Sequence, residues 1–292
     1  MSRLHLIDGT FELFRAHYSR RPPHAIEDGR DVKATVGVVS SMLALLADAE
    51  ERPTHLAIAF DNPIRSFRNR LFAGYKTEAG VPAELLAQFD LVEDAARALG
   101  LLVWSMDEWE ADDALATAAA RWGRDFEQVR ILTPDKDLGQ CLVGDHVVQV
   151  DRIRRKVIDE PALVLRRGVR PRSIPDLLAL TGDDADGIPG LSGFGEATAA
   201  ALLSQYPHLE DIPRDPSQWS RRIRFRPVLA ATLFARFADA LLYRQLATLV
   251  EDVPLAASLD DLQWRGAPRG EFLEWCDRMR VHELREQPSR WR

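Results

Sequence analysis

The chain is predicted to be an α/β protein, with a mostly parallel central sheet flanked by helices and a helical C-terminal part. Three observations predict this. Short apolar segments alternate with longer amphipathic ones through the first 150 residues. The apolar segments are nearly continuous runs, as expected for strands buried on both faces, rather than half-solvated alternations. Beyond about residue 160 such runs stop, and short stretches punctuated by Pro and Gly take over.

Taken in order, "RLHLI" (3–7), "HLAIAF" (55–60), "LLVWS" (101–105), "VRILT" (129–133) and "HVVQV" (146–150) read as strands. Between them, 33–51 carries a broad apolar face and stops before Pro53. The stretch 82–100 opens on Pro82 and closes on Gly100, the usual asymmetry of helix ends. Strand–helix alternation of this kind gives parallel strands with crossover helices. Helices are then expected at 161–167, 173–181, 195–205, 227–248 and 270–278. The division expected is an α/β core over 1–160 and a helical part over 161–292. Segments 20–30 and 62–82 are expected to be the least ordered.

With 46% apolar and 28% charged residues among 292, the composition is that of an ordinary globular protein. No run approaches the roughly 20 apolar residues that span a bilayer. The N-terminus enters a strand directly, without a secretory leader. The two cysteines, Cys141 and Cys276, match no metal-ligand spacing. A cytoplasmic location with reduced thiols and no membrane partner is therefore expected. The formal charge of −7 argues at first against a nucleic-acid partner. Basic residues nevertheless come in blocks, "RIRRK" (152–156), "RRGVRPR" (166–172) and "RRIRFR" (221–226).

The acids are distributed in a pattern that carries chemistry. Asp8 ends the first strand, Asp61 ends the second, and Asp135 and Asp137 follow the fourth. In an open parallel sheet the carboxyl ends of the strands share one edge, where ligands bind. "DEWEADDALATAAARWG" adds Glu110, Asp112 and Asp113 at the start of a helix, and "TGDDADGIPG" adds Asp183 and Asp186 in a Gly-bounded turn. Each group alone has an ordinary explanation in helix-dipole complementation or turn closure. Together, nine carboxylates at one edge repel strongly unless protonated or neutralised by cations. Oxygen-only ligands select hard ions, so Mg²⁺ or Mn²⁺ is expected. Two such ions roughly 4 Å apart suit in-line attack on a phosphodiester.

"LIDGT…FRA", "FD…SFRNRLFAGYK", "EADD", "ILTPDKDLGQ" and "LTGDDADGIPGLSGFGEATAAALL" occur in that order. Over about Leu4 to Leu203 the chain resembles the 5′–3′ exonuclease/flap endonuclease family, including the N-terminal nuclease domain of bacterial repair polymerases. The resemblance implies a PIN-like nuclease core with a helical arch near 62–95 and a helix–turn–helix duplex grip. It implies metal-dependent hydrolysis of DNA with a free 5′ end or a 5′ flap. Asp8, Asp61, Glu110 and Asp112 match the family's first metal position, and Asp113, Asp135, Asp137, Asp183 and Asp186 the second. Lys76 matches the basic residue beside the scissile phosphate, and Tyr75 an aromatic at the mouth of the arch. Arg65 and Arg68 fall on its approach. Gly193, Gly195 and Thr198 match the duplex grip, whose turn carbonyls bind K⁺ in some members. A small-nuclease ribonuclease and a weakly catalytic branched-DNA binder are the alternatives. Thr10, Ala197 and Glu78 depart from the family pattern. No polymerase segment follows, so a free-standing, monomeric nuclease is expected.

Overall fold

The computed structural model describes residues 2–292 and divides into two compact units. Among the described residues the first comprises 2–65, 78–133 and 251–292; the second comprises 66–77 and 134–250. The strands are β1 (Arg3–Asp8), β2 (His55–Asp61), β3 (Leu102–Met106), β4 (Gln128–Leu132), β5 (Val147–Asp151) and β6 (Lys156–Ile158). The helices, in chain order, are α1 (Gly9–His17), α2 (Lys33–Leu46), α3 (Arg68–Leu71), α4 (Ala83–Leu86), α5 (Phe89–Ala98) and α6 (Ala111–Trp122). They continue with α7 (Glu160–Arg167), α8 (Ile174–Thr181), α9 (Glu196–Leu203), α10 (Arg226–Ala235), α11 (Phe237–Ala247) and α12 (Arg269–Arg278).

In the first unit β1 pairs in parallel with both β2 and β4, and β3 extends the sheet beyond β2. The predicted apolar runs are buried almost throughout, with Leu4, Leu6, Ile7, Ile58, Phe60, Val129 and Ile131 inaccessible to solvent. Parallel pairing sets the carboxyl ends of these strands along one edge, and Asp8 lies in register with Ala59, two residues before Asp61. The chain turns from β1 directly into α1 at Gly9. A Cβ there would stand 2.7 Å from the Ala59 carbonyl oxygen and 2.5 Å from the Phe60 ring. Only glycine lets the helix start so close to the neighbouring strand.

The second unit holds the antiparallel hairpin β5–β6 and helices α3 and α7 to α11. Its core gathers Leu163, Ile174, Leu177, Leu178, Leu202, Leu203, Leu209, Trp219, Leu233 and Leu246 around α8. The block "RIRRK" is the turn of the hairpin and the start of β6, a strand too short to be predicted from its pattern.

Three features differ from expectation. The stretch 82–100 is two helices, broken where Gln88 turns its side chain inward to accept from the Thr35 amide at 3.0 Å. The stretch 227–248 breaks at Arg236, giving α10 and α11. The boundary expected near 160 does not coincide with the compact units, because 251–292 belongs to the first. There Trp264 donates from its backbone to Thr54 at 2.9 Å and from its indole to Leu99 at 3.0 Å. Trp264 and Trp275 are buried, whereas Trp291 is half-buried. Among the described residues neither Cys141 nor Cys276 forms a disulfide, and both are buried. Among the described residues no helix is long and apolar enough to cross a membrane.

Candidate metal centre

Each unit carries its own set of acids. In the first, Asp8 caps α1 by accepting from the Phe11 amide at 2.8 Å, and its other oxygen accepts from the Thr133 hydroxyl at 2.9 Å. Thr133 is the residue following β4, so the sheet itself orients this carboxylate. Asp61 accepts from the Ala111 amide at 2.6 Å, which ties the end of β2 to the start of α6. Thr10 receives the Asp61 amide on its hydroxyl at 2.8 Å. The Thr10 departure therefore retains a hydroxyl where the strand end needs an acceptor.

Glu110 and Asp113 form a capping box at the start of α6: the Glu110 amide donates to Asp113 at 3.0 Å, and the Asp113 amide donates to Glu110. By sequence these acids read as complementing the helix dipole or as binding metal, and the capping was not expected. The capping is present, and it fixes both carboxylates in direction. Asp113 is 0% exposed, while Asp112 is half-buried on the adjacent face. Asp113 was expected with the second metal set; it lies in the first unit, one helical turn from Glu110.

In the second unit Asp137, Asp183 and Asp186 each turn a carboxylate oxygen to within 4.8 Å of the others. Asp135 adjoins them by accepting from the Asp137 amide at 2.9 Å, and its backbone carbonyl accepts from Gln149 on β5. Burial pushes the Asp137 carboxyl well above the usual carboxylate range, reinforced by the charges of Asp135, Asp186 and Asp183. Asp135 is raised by burial too, and Asp186 and Asp183 add to it against the Asp137 amide and Lys76. One Asp137 oxygen is buried with no hydrogen-bond partner. An acceptor left in that condition costs about 1–3 kcal/mol. A hard divalent cation suits this donor set, because it supplies the charge and the coordination that the carboxylates lack.

Two lysines compensate part of the charge. Lys76 stands 3.0 Å from Asp186, and Lys136 stands 2.8 Å from Asp183. Burial would lower Lys136, but Asp183, Asp137 and Asp135 outweigh it and hold the ammonium charged. Lys136 was missed at the sequence level, although it sits between Asp135 and Asp137 in the quoted motif. Asp184, which the spacing left out of the set, is exposed.

The residues expected to approach DNA divide into two kinds. Arg65 is exposed and pairs with Glu78 at 3.0 Å, so the Glu78 departure neutralises a basic residue. Arg68 corrects the expectation. It is 1% exposed, and its guanidinium donates to the carbonyls of Leu246 at 2.8 Å and Thr248 at 3.0 Å. It is a buried clamp on the end of α11. Tyr75 is likewise buried in the core of the second unit, with its hydroxyl 3.3 Å from Asp186. Over 62–95, where a helical arch was expected, the chain forms the short α3 and α4 and most of α5. The Gly193–Gly195 turn is exposed around a buried Phe194, and Gly195 is the N-cap of α9, its carbonyl accepting from the Thr198 and Ala199 amides at 3.0 Å. Gly193 has φ +89°, a conformation open to glycine. Thr198 is half-buried in that first turn, and Arg167 pairs with Glu196 at 3.2 Å beside it.

Residues 3–168 match the family model of the 5′–3′ exonuclease N-terminal resolvase-like domain. Residues 169–269 match that of the 5′–3′ exonuclease C-terminal SAM fold. The chain belongs to the 5′–3′ exonuclease family. Its members are metal-dependent nucleases, and the fold class follows, a PIN-like sheet and helix core with a SAM-like helical part. The 5′–3′ exonuclease of Aquifex aeolicus is 30% identical over 90% of this chain and 87% of its own length. DNA polymerase I of Rhizobium leguminosarum is 36% identical over 89% of this chain but only 26% of its own, so this chain spans about a quarter of that relative. Among solved structures, the T5 D15 protein co-crystallised with metal ions has a TM-score of 0.65 at 19% identity, covering 95% of this chain and 99% of its own. A T5 D15 flap endonuclease complex with DNA and metal ions has a TM-score of 0.63 at 19% identity, covering 98% and 96%.

Proposed function

We propose that this family member hydrolyses DNA phosphodiesters as a 5′–3′ exonuclease and 5′-flap endonuclease, acting as a cytoplasmic monomer. The carrying observation is the trio Asp137, Asp183 and Asp186, buried deeply enough to raise Asp137 and flanked by Lys76 and Lys136. Asp8, Asp61, Glu110 and Asp112 are assigned to one Mg²⁺ or Mn²⁺, and Asp135, Asp137, Asp183 and Asp186 to another. Asp113 is assigned to holding Glu110 in place. When bound, such ions activate water and stabilise the leaving oxygen of an in-line displacement.

The chain's own groups perform the remaining work. Asp186 holds the Lys76 ammonium at 3.0 Å, and the Lys76 amide donates to the Asp186 carbonyl at 3.0 Å, so this cation is positioned twice by one residue. An ammonium fixed in this way stabilises charge that develops on a phosphate in the transition state. The α9 amides and Thr198 supply seats for duplex phosphates, which give affinity without sequence readout. K⁺ binding by the carbonyls of the 190–195 turn belongs to the same reading. Arg65 is assigned to the single-stranded 5′ end.

Product mapping on a 5′-flapped duplex with Mg²⁺ tests the reading, with a single RNA strand and an RNA–DNA hybrid as controls. Asp135→Asn is expected to cut at least about a hundredfold more slowly while binding the flap in chelator like the parent. Cleavage by that variant at the parental rate would sink the metal assignment. Preference for the RNA strand would sink the substrate.

A further inference from the structure

The segment "RRIRFRP" (221–227) leads into α10, which begins at Arg226, and it does not behave like a loop that merely connects. Phe225 is 76% exposed, and Val228, one turn along the same face, is 64% exposed. Arg221, Arg222 and Arg224 around them are exposed, while Ile223 points inward and is buried. The Phe225 backbone is left-handed, with φ +55° and ψ +28°, a conformation that bulky residues avoid. The chain keeps that strain without burying the ring, which marks the residue as held for a purpose other than packing. Its position is fixed from both sides. Arg226 donates to the Trp219 carbonyl at 2.9 Å, and the Val228 and Leu229 amides both close on the Phe225 carbonyl at 3.0 Å. Leu229 in turn packs against Gly193, where a Cβ would stand 3.0 Å from its side chain. The exposed ring therefore lies one turn from the residue that supports the Gly193–Gly195 turn.

From these observations we infer that Phe225, with Arg221, Arg222 and Arg224, is a seat for an unpaired nucleotide of single-stranded DNA. The ring stacks on a base, and the three guanidiniums bind the phosphates on either side. An exposed aromatic set among arginines is the combination by which proteins hold single strands without reading sequence. Charge complementarity selects this occupant. A protein partner would be expected to bury a wider apolar area than one ring and one valine. The inference rests on the reading that the chain acts on DNA, and it adds a contact away from the carboxylates.

The test uses the full chain in chelator with a single-stranded oligonucleotide carrying 2-aminopurine. The parent is expected to bind it and quench the probe. Phe225→Ala should abolish the quenching and weaken binding roughly tenfold, within a range of about 5- to 100-fold. Phe225→Trp should retain both. Phe225→Gly removes the ring and the strained conformation together, so its melting temperature should not fall while its binding does. The triple variant Arg221→Ala/Arg222→Ala/Arg224→Ala should flatten the dependence of log K on log salt by about 2. Unchanged quenching and affinity in Phe225→Ala would overturn the seat, as would a loss of melting temperature in Phe225→Gly that matches its loss of binding. Conversion of a dimer to a monomer by Phe225→Ala, with DNA binding intact, would overturn it in favour of a second copy. Cleavage of flapped duplex by the parent in Mg²⁺ is read separately. A parent that cuts while Phe225→Ala changes nothing refutes only the seat, whereas a parent that quenches through Phe225 but never cuts supports the seat and refutes the nuclease reading.

Discussion

Asp137 shows at a single residue what the acids do to this protein. Its carboxyl is buried, raised well above the usual range, and has one oxygen without a partner. A carboxyl whose folded pKa is raised loses stability as pH climbs past its unfolded value, so at neutral pH the metal-free fold carries this group as a cost. Asp137→Asn is therefore expected to raise the melting temperature in chelator and to abolish most of the rise that the parent shows on adding Mg²⁺, as thermal melts with and without the ion will read. Glu51 behaves in the opposite way. Burial pushes it up, but the hydrogen bond from His5 and the charge of Arg130 outweigh that and bring it down to about 2. His5 is itself lowered, chiefly by burial, so at neutral pH its ring is uncharged. The compensating charge is thus Arg130, 2.8 Å away, rather than an imidazolium. A depressed carboxylate stabilises the fold above its unfolded value of 4.5, and that contribution is lost as pH falls toward 2. His5 loses its share earlier, below 6.5, where the unfolded ring takes a proton that the buried one refuses. Arg130→Met should remove most of the Glu51 part of this acid dependence and destabilise the protein by about 1–3 kcal/mol at neutral pH, measured by denaturant titration.

At the scale of elements, the turn after α8 positions the chemistry. Asp183 and Ile188 bond to each other across it at 2.8 Å in both directions, which closes the loop that presents Asp186. Gly187 has φ +73°, and a Cβ there would overlap the Gly74 carbonyl oxygen. The turn can therefore touch the 74–76 segment only without a side chain at 187, and that contact is what brings Lys76 to Asp186. Gly187→Ala is expected to cost about 1–3 kcal/mol of stability and to lower kcat by roughly tenfold or more, with single-turnover rates separating the chemical step from binding. The capping box of α6 works by the same logic. It uses backbone amides that need partners anyway to aim Glu110.

For the whole molecule, the charge of −7 hides an uneven distribution. The basic blocks at 152–156, 166–172 and 221–226 all belong to the second unit. Binding to flapped DNA is expected to weaken steeply with salt in spite of the negative sum. About six phosphate contacts would cost roughly a thousandfold between 50 and 200 mM, as anisotropy titrations across that range will show. A flat salt response would mean that phosphates are not what these arginines bind.

The sequence by itself determined five of the six strands and the family, because buried strands are continuous apolar runs, whereas β6 has only three residues. The sequence carried Asp8, Asp61, Asp137, Asp183 and Asp186 by position, since strand ends and Gly-bounded turns are local features. Only tertiary structure decided how long cationic and aromatic side chains are used. Arg68 and Tyr75 lie in a segment that reads as an exposed basic helix, yet one clamps the carbonyls of α11 and the other joins the core. Glu78, a departure from the family pattern, is the partner of Arg65. The return of 251–292 to the first unit was equally beyond local pattern. The physical reason is reach. A strand or a turn is fixed by neighbours within a few residues, whereas a guanidinium or a phenol ends far from its own backbone, among groups that only folding brings near.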